Sequence, residues 1–318
     1  MTQKIKTFNA ISEKGLILLK EKKFEISESL TDPDAIILRS HKLSSNEFGN
    51  NLKAIARAGA GVNNIPLEEC SELGIPVFNT PGANANAVKE IVLAALLMSS
   101  RGLFQGANFV HSIDEAKQDE LKPLIESGKK SFKGRELSGG TLGVIGMGAI
   151  GAKVADMGVM LGMNVIGFDP AITVEAAWKL PNQVERKEKI EDVFKDSDYI
   201  SLHVPANDAT KGLINEELLK NAKKGLRLIN FARDEIVVSK DIIKSLDDQT
   251  LSKYITDFAD LDLISRAKTK YDVIILPHIG ASTSQAEENC SVMAAEQLDD
   301  FLNNGNIRNS VNFPELIE

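Results

Sequence analysis

The chain has 318 residues, enough for two ordinary domains with separate cores. Hydrophobic residues at 43% and charged residues at 26% describe a globular protein, and no apolar run approaches the ~20 residues of a membrane span. A formal net charge of −8 excludes a general nucleic-acid surface, so an anionic ligand must be met by a local cluster of cations.

Cys70 and Cys290 are far apart and lack metal-ligand spacing, so they read as reduced thiols. The opening Met1-Thr-Gln-Lys-Ile-Lys6 has no signal-peptide core. A cytoplasmic protein without a metal site and without a membrane or nucleic-acid partner is expected.

Short apolar runs at 35–40, 52–58 and 76–80 are each followed by polar or glycine punctuation and predict strands. Residues 85–101 predict one long helix, with Val88, Ile91, Val92, Ala95 and Leu96 on a common face. Residues 117–133 are charged, weakly patterned and read as an exposed excursion; His111 reads as a solvated helix residue.

The next segment is the most specific. Leu142-Gly-Val-Ile is an apolar strand run entering Gly146-Met-Gly148-Ala149-Ile150-Gly151. A helical pattern follows, then a second strand run, Asn164-Val-Ile-Gly-Phe, closed by Asp169. This is a βαβ unit in which Gly146 permits a tight turn, Gly148 lets phosphates approach the backbone and Gly151 lets helix and strand pack closely. Asp169 stands where a carboxylate accepts hydrogen bonds from an adenosine ribose, and the adjacent Pro170 and Ala171 bring no cation for a 2′-phosphate. NAD is therefore the expected cofactor.

Beyond Asp169 the rhythm continues, with strands predicted at 199–204, 226–231, 253–258 and 272–276 and helices at 216–223 and 240–246. That alternation calls for a parallel sheet covered on both faces. A last helix is expected over 284–303, capped by serines and ended by Asn304-Gly305. The fold class is α/β: a Rossmann-type doubly wound domain (93–284) inserted into a smaller, flavodoxin-like substrate domain built from residues 1–92 and 285–318. The ligand cleft is expected between the two, at the carboxyl ends of strands.

Three predicted strand ends carry unusual residues. Arg233, after Asn230-Phe231-Ala232, offers a planar fork for a carboxylate. Asp257 is followed five positions on by Asp262, and Pro277-His278-Ile-Gly280 places a histidine at the last strand end. A histidine beside a carboxylate and near a nicotinamide suits proton transfer coupled to hydride transfer. His203, in His203-Val204-Pro205, reads as shaping the loop on the nicotinamide side.

In order and spacing, these residues resemble the D-isomer-specific 2-hydroxyacid dehydrogenases across nearly the whole chain. The resemblance implies that Arg233 holds the substrate carboxylate and keto oxygen, that His278 is the general acid/base, and that Asp262 is its carboxylate partner. It places Asp257 at the nicotinamide end and Gly148, Ala149 and Ile150 at the pyrophosphate, with Gly146, Gly151, His203, Val204, Pro205, Phe231, Ala232 and Gly280 completing the cofactor site. Arg39, Ser40, Ala60, Gly61 and Asn84 would receive the substrate, and Lys129 or Lys130 of a neighbouring subunit would add charge. Two departures are visible: Asp234 stands where the family has glycine, and Asp262 where it has glutamate.

The segments around Arg39, Arg57 and Asn84 further resemble members that oxidise a phosphorylated acid. The implied reaction is NAD-dependent oxidation of a small anionic D-2-hydroxy acid by a homodimer or higher homo-oligomer. Glyoxylate, hydroxypyruvate or D-lactate-type acids are alternative substrates, and an NAD-sensing binding protein is the alternative of another class. Asn309-Ser-Val-Asn-Phe-Pro314 resembles the point where longer members pass into a regulatory domain.

Overall fold

The computed structural model describes residues 2–9, 11–113 and 118–316. It opens with β1 (Lys4–Phe8), α1 (Glu13–Glu21), β2 (Glu25–Ser27), β3 (Ala35–Leu38), β4 (Ala54–Arg57), α2 (Leu67–Glu72), β5 (Val77–Phe78) and α3 (Ala85–Ser100). Then come α4 (Leu103–His111), α5 (Gln118–Gly128), β6 (Thr141–Ile145), α6 (Ala149–Met160), β7 (Asn164–Phe168), α7 (Val174–Trp178), β8 (Glu185–Arg186), α8 (Ile190–Asp196) and β9 (Tyr199–Leu202). The chain continues with α9 (Glu216–Leu219), β10 (Leu226–Asn230), α10 (Ser239–Asp247), β11 (Leu251–Thr256), α11 (Leu261–Lys270), β12 (Val273–Ile275) and α12 (Ser284–Asn304). Two compact units result, Met1–Ala87 with Ala281–Glu318, and Val88–Gly280.

The first unit is a five-stranded parallel sheet in the order β2-β1-β3-β4-β5, the flavodoxin-like order. β3 reads Ala-Ile-Ile-Leu and is buried at every position, because a parallel strand covered on both faces has no solvent side. Ile37, Ala56 and Phe78 pack with Leu19 of α1 and Leu298 of α12, while Ile36, Leu38, Ile55 and Val77 pack with Cys70 of α2. Over residues 4–27 the apolar run Leu16-Ile17-Leu18-Leu19 lies in α1, and the two strands carry none. β1 alternates lysine with apolar residues, and β2 is a short edge strand. The cap of α12 is Thr283 rather than a serine: its hydroxyl accepts the Ala286 N–H at 3.1 Å.

The second unit is a seven-stranded parallel sheet, β12-β11-β10-β9-β6-β7-β8. Counted from β6, the strands run 3-2-1-4-5-6 with β12 added at one edge, the doubly wound Rossmann arrangement. Ile145, Ile200, Leu202, Leu228 and Tyr254 share one core with Phe194. Fully burying an aliphatic side chain is worth about 1.5–3 kcal/mol, so these runs fix which strands lie at the centre. The helix expected over 216–223 is confined to Glu216–Leu219, because the Lys223 N–H leaves the helical path to bond the Phe194 carbonyl at 2.9 Å. Lys117 lies outside the described residues. The excursion after it is exposed but helical, with Leu121 and Ile125 half-buried one turn apart.

Among the described residues, no helix is long and apolar enough to cross a membrane, and no group of three His, Cys, Asp or Glu side chains is placed to hold a metal ion. Both cysteines are free and buried.

Candidate active site

The order of the second sheet reverses between β6 and β9, which lie side by side. Chains leaving these strands diverge to opposite faces, and the crevice this opens is where such sheets bind nucleotides. Gly146 leaves β6 with φ +90°, and a Cβ there would sit 2.7 Å from the His203 backbone leaving β9. The His203 N–H donates to the Ile145 carbonyl at 2.7 Å and ties the two exits together. A Cβ on Gly151 would lie 1.9 Å from the Gly146 carbonyl oxygen. Gly148 is the exception, with nothing within 4 Å of the position a Cβ would take. The loop is thus closed by packing at Gly146 and Gly151 and left open at Gly148, where α6 begins with Ala149 and Ile150. Free N–H groups and the positive end of the helix dipole face that opening.

Asp169 follows β7. Its Oδ2 accepts the Met147 N–H at 2.7 Å and its Oδ1 the Ala171 N–H at 2.9 Å, which fixes the carboxylate while leaving lone pairs for ribose hydroxyls. Beside it opens a cleft of about 540 Å³, lined mainly by apolar side chains that include Trp178 and Val184. Trp178, the single tryptophan, is 84% exposed there. Arg186 also lines this cleft, brought in by the pairing of β8 with β7 that sets it opposite Gly167. The residues next to Asp169 in sequence gave no sign of this cation; the register of a neighbouring strand supplies it.

Three strand ends carry the remaining groups. Buried Asn230 closes β10, receiving the Ala232 N–H at 3.0 Å and donating to the Arg233 carbonyl at 2.8 Å. Arg233 is therefore held on a turn braced from inside, and its guanidinium donates to the Ala232 carbonyl at 2.6 Å. Asp257 follows β11 and is only 3% exposed. Its Oδ2 accepts the Gly280 N–H at 3.0 Å, and its Oδ1 is buried without a partner. Burial pushes the Asp257 carboxyl above its ordinary value, opposed by the Gly280 N–H and the nearby charges of His278 and Arg233. His278 follows β12 with a left-handed backbone (φ 51°), its N–H donating to the Asp257 carbonyl at 3.1 Å and its ring edge-on to Phe258 at 5.1 Å. Arg233, Asp257 and His278 thus share one region of the second unit. Phe231 is buried below Gly280, with its Cβ 3.8 Å from where a glycine Cβ would stand.

Asp262 is not part of this group in the structure. Asp260 caps α11, accepting the N–H groups of Asp262 and Leu263 at 2.9 and 3.1 Å, and this turns the Asp262 side chain outward in the first helical turn. No hydrogen bond or ion pair joins Asp262 to His278 among the described residues. The carboxylate close to His278 is Asp257 instead. Asp234 is exposed at the start of the 3-10 turn after Arg233. His203 is partly covered and bonds the Ser201 hydroxyl through Nε2 at 2.8 Å; desolvation pushes its pKa down to about 3, so the ring is neutral. Val204 is half-buried behind it and Pro205 is exposed.

Buried polar residues form a support beneath these strand ends that sequence reading did not single out. Thr256 accepts the Phe258 N–H at 3.1 Å, and Tyr254, raised to about 12 by burial, bonds Thr256 and Asn230. Polar side chains inside otherwise apolar strand runs were the available signal.

In the first unit, Arg39 follows β3 and Arg57 ends β4. The Arg57 guanidinium Nε donates to the Arg39 carbonyl at 3.1 Å, and the Arg57 side chain covers Gly59, where a Cβ would meet it at 2.0 Å. Arg39 pairs with Glu287 of α12 at 2.8 Å. Ala60 and Gly61 lie half-buried on the loop after β4, the Ala60 carbonyl accepting from Asn79 at 2.7 Å. Ser40 is exposed, and the amide oxygen of Asn84 is buried without a partner. Lys129, in the 3-10 turn that follows α5, pairs with Glu126 of α5.

Taken together, an open position at Gly148, a fixed acceptor at Asp169 and an orphaned buried acceptor at Asp257 fit an extended dinucleotide. The second unit is that of an NAD-binding oxidoreductase. Residues 93–280 match the family model of the D-isomer specific 2-hydroxyacid dehydrogenase NAD binding domain. The chain is 35% identical over 290 residues to the hydroxypyruvate reductase of Thermotoga maritima, covering 87% of each. It is 34% identical over 304 residues to the D-3-phosphoglycerate dehydrogenase of Methanocaldococcus jannaschii, covering 92% of this chain and 54% of that one. The chain spans about half the length of this enzyme and of the D-3-phosphoglycerate dehydrogenases of Synechocystis and Bacillus subtilis. Among solved structures, the NAD⁺-bound 3-phosphoglycerate dehydrogenase of Entamoeba histolytica is similar at 30% identity with a TM-score of 0.76, covering 98% of this chain and 99% of that one. The chain belongs to the D-isomer specific 2-hydroxyacid dehydrogenases, and its cofactor is NAD.

Proposed function

We propose that the protein oxidises 3-phospho-D-glycerate to 3-phosphohydroxypyruvate, the step that leads into serine synthesis, as a cytoplasmic enzyme. The observation that carries this reading is the placement of two arginines at adjacent strand ends of the first unit, Arg39 just after β3 and Arg57 at the end of β4, where the Arg57 side chain donates to the Arg39 backbone carbonyl. A planar donor fork suits a phosphate, and two together suit its double charge.

In this reading Arg233 holds the substrate carboxylate and stabilises charge on the C2 oxygen. His278 takes the C2 hydroxyl proton through its ring, with the Asp257 carboxyl close to it. NAD, when bound, accepts the hydride that leaves C2. Gly148 and the start of α6 hold the pyrophosphate, Asp169 the ribose and Asp257 the far end of the cofactor. Asn230, Thr256 and Tyr254 keep Arg233 and Asp257 in place.

A second reading keeps the chemistry and replaces the substrate with hydroxypyruvate or glyoxylate. The Arg39–Glu287 pair favours it, because Glu287 already meets one of the two cations. Steady-state rates decide between them, with phosphoglycerate assayed against NAD and NADP and the two keto acids against NADH and NADPH. Phosphoglycerate turnover whose KM rises at least about tenfold in Arg39→Ala supports the first reading. An unchanged KM supports the second, and no turnover on any acid with tight NAD binding overturns both. The same reading carries a homodimer or larger homo-oligomer, since α4 leaves Leu103, Phe104 and Val110 each 46% exposed. Sedimentation of the purified protein tests this.

A further inference from the structure

The second unit holds another cavity, of about 870 Å³. Arg227 and Lys253 reach it from the first residues of β10 and β11, and Tyr271 from just before β12. It therefore opens at the amino ends of these strands, whereas Arg233, Asp257 and His278 follow their carboxyl ends. It is not part of the site described above.

Its charge is anomalous for this chain. Arg101, Lys133, Arg227, Lys253 and Lys270 line it, and no Asp or Glu does so among the described residues. Acids outnumber Lys and Arg 45 to 37 over the whole sequence, so five cations without an acid is a local reversal.

Arg227 is the most telling of the five. Its Nε donates to the Ser99 carbonyl at 2.9 Å, and its guanidinium lies 5.1 Å from the Tyr199 ring centroid. No carboxylate pairs with it among the described residues, and Asp198, whose charge acts on it, is held by Lys223 at 2.8 Å and Arg135 at 3.5 Å. Burial pushes Arg227 below its ordinary value, and it pushes Lys253 down too, where the Arg227 charge adds to the effect against Asp272. Asp272 is itself engaged by both ends of Arg266. Among the described residues, Lys270 is the one of the five with an acid of its own, Asp247 at 3.1 Å. A half-buried cation without a counter-ion is unfavourable unless something of opposite charge meets it. Gln105 adds a second unmet group. Its amide donates to the Tyr271 carbonyl at 2.9 Å and leaves Oε1 buried without a partner, an acceptor for a ligand hydroxyl.

We propose that this cavity is a second anion site, built for a small, multiply charged oxyanion that also carries a hydroxyl: phosphate or a phosphorylated metabolite. It does not depend on which acid the enzyme oxidises.

The test is calorimetric titration of the full chain with inorganic phosphate and with glycerol 3-phosphate, at constant ionic strength set by chloride, beside thermal melting under the same conditions. Phosphate-type anions should bind and raise the melting temperature beyond chloride. Lys253→Met and Lys133→Gln should each weaken that binding by about tenfold, the loss of one charged hydrogen bond. Arg227→Gln should do the same if it folds; the two lysine variants carry the test if it does not. Arg39→Ala should leave this binding intact, which separates the cavity from the proposed substrate phosphate contact. The tighter of the two ligands identifies the source. Three outcomes overturn the proposal: no preference over chloride, binding lost in Arg39→Ala but kept in both lysine variants, or lysine variants that alter only the assembly state.

Discussion

Asp257 gives one carboxylate oxygen to the Gly280 N–H at 3.0 Å and keeps the other buried without a partner. A lone buried acceptor is costly, and it persists where a ligand donor will meet it. Asp257→Asn preserves shape but has one acceptor oxygen, which the Gly280 N–H claims; the amide N–H₂ then faces the space where an acceptor was needed. NAD affinity is expected to fall about tenfold to a hundredfold, the range for a charged hydrogen bond replaced by a donor clash. Removing a buried charge should leave the melting temperature unchanged or higher. Fluorescence titration with NADH checks the first and thermal melting the second; unchanged affinity would remove Asp257 from the cofactor site.

Gly148 and Gly151 separate binding from folding. Gly148→Val adds a side chain where the protein has nothing within 4 Å, at φ −69° and ψ −164°, an extended conformation open to any residue. Its stability should stay within about 0.5 kcal/mol of the parent, while the added methyls occupy the pyrophosphate position and abolish NAD binding. Gly151→Ala instead forces a Cβ to 1.9 Å from a backbone oxygen and should destabilise the fold by about 1–3 kcal/mol. Trp178 beside the Asp169 cleft gives an intrinsic reporter, because NADH binding there should quench its emission. Denaturant melts of both variants, with Trp178 emission as the binding signal, distinguish the two roles.

The exposed position of Asp262 sets a third expectation. With Asp260 capping α11 and Asp262 turned outward, Asp257 is the carboxylate close to His278. Asp262→Asn should lower kcat by less than about threefold, since a surface side chain away from the reacting groups contributes within ±0.5 kcal/mol. His278→Ala and Arg233→Ala should each remove most of the rate. A loss in Asp262→Asn comparable to that in His278→Ala would show that the carboxylate reaches the histidine during turnover.

These residues also show what a sequence makes legible. The fingerprint and Asp169 belong to one βαβ unit, so their geometry is set by local spacing, and glycine chemistry alone identifies them. Arg233, Asp257 and His278 stand out in the sequence because apolar runs mark strands and strand ends are where such sheets carry functional groups. Arg186 was not legible, because it arrives through the pairing of β8 with β7. The Arg39–Glu287 pair depends on α12 returning to the first sheet from the far end of the chain. Asp262 depends on which of two nearby acids caps a helix, a competition that residue spacing does not resolve.

His203 makes the fold sensitive to acid in a window above that of carboxylates such as Asp198, which are held below their ordinary value. Its ring pKa is pushed from 6.5 down to about 3 by desolvation, so the folded protein holds it neutral against the Ser201 hydroxyl. Between those values the unfolded chain binds a proton that the folded chain refuses, so stability rises with pH there. The contribution is complete above about pH 6.5 and is lost progressively as the pH falls toward 3. By pH 5 the loss amounts to at most about 2 kcal/mol, reduced to the extent that water reaches the partly covered ring. Burial opposes ionisation of Asp198, yet Lys223 and the Thr141 N–H carry it below 3.8, so its contribution is lost only at lower pH. His203→Gln keeps a neutral polar side chain beside Ser201 and has no proton to gain. Urea melts at pH 7, 6 and 5 should show the parent losing stability over this range while the variant stays nearly level. Equal slopes in the two proteins would assign the acid sensitivity to other groups.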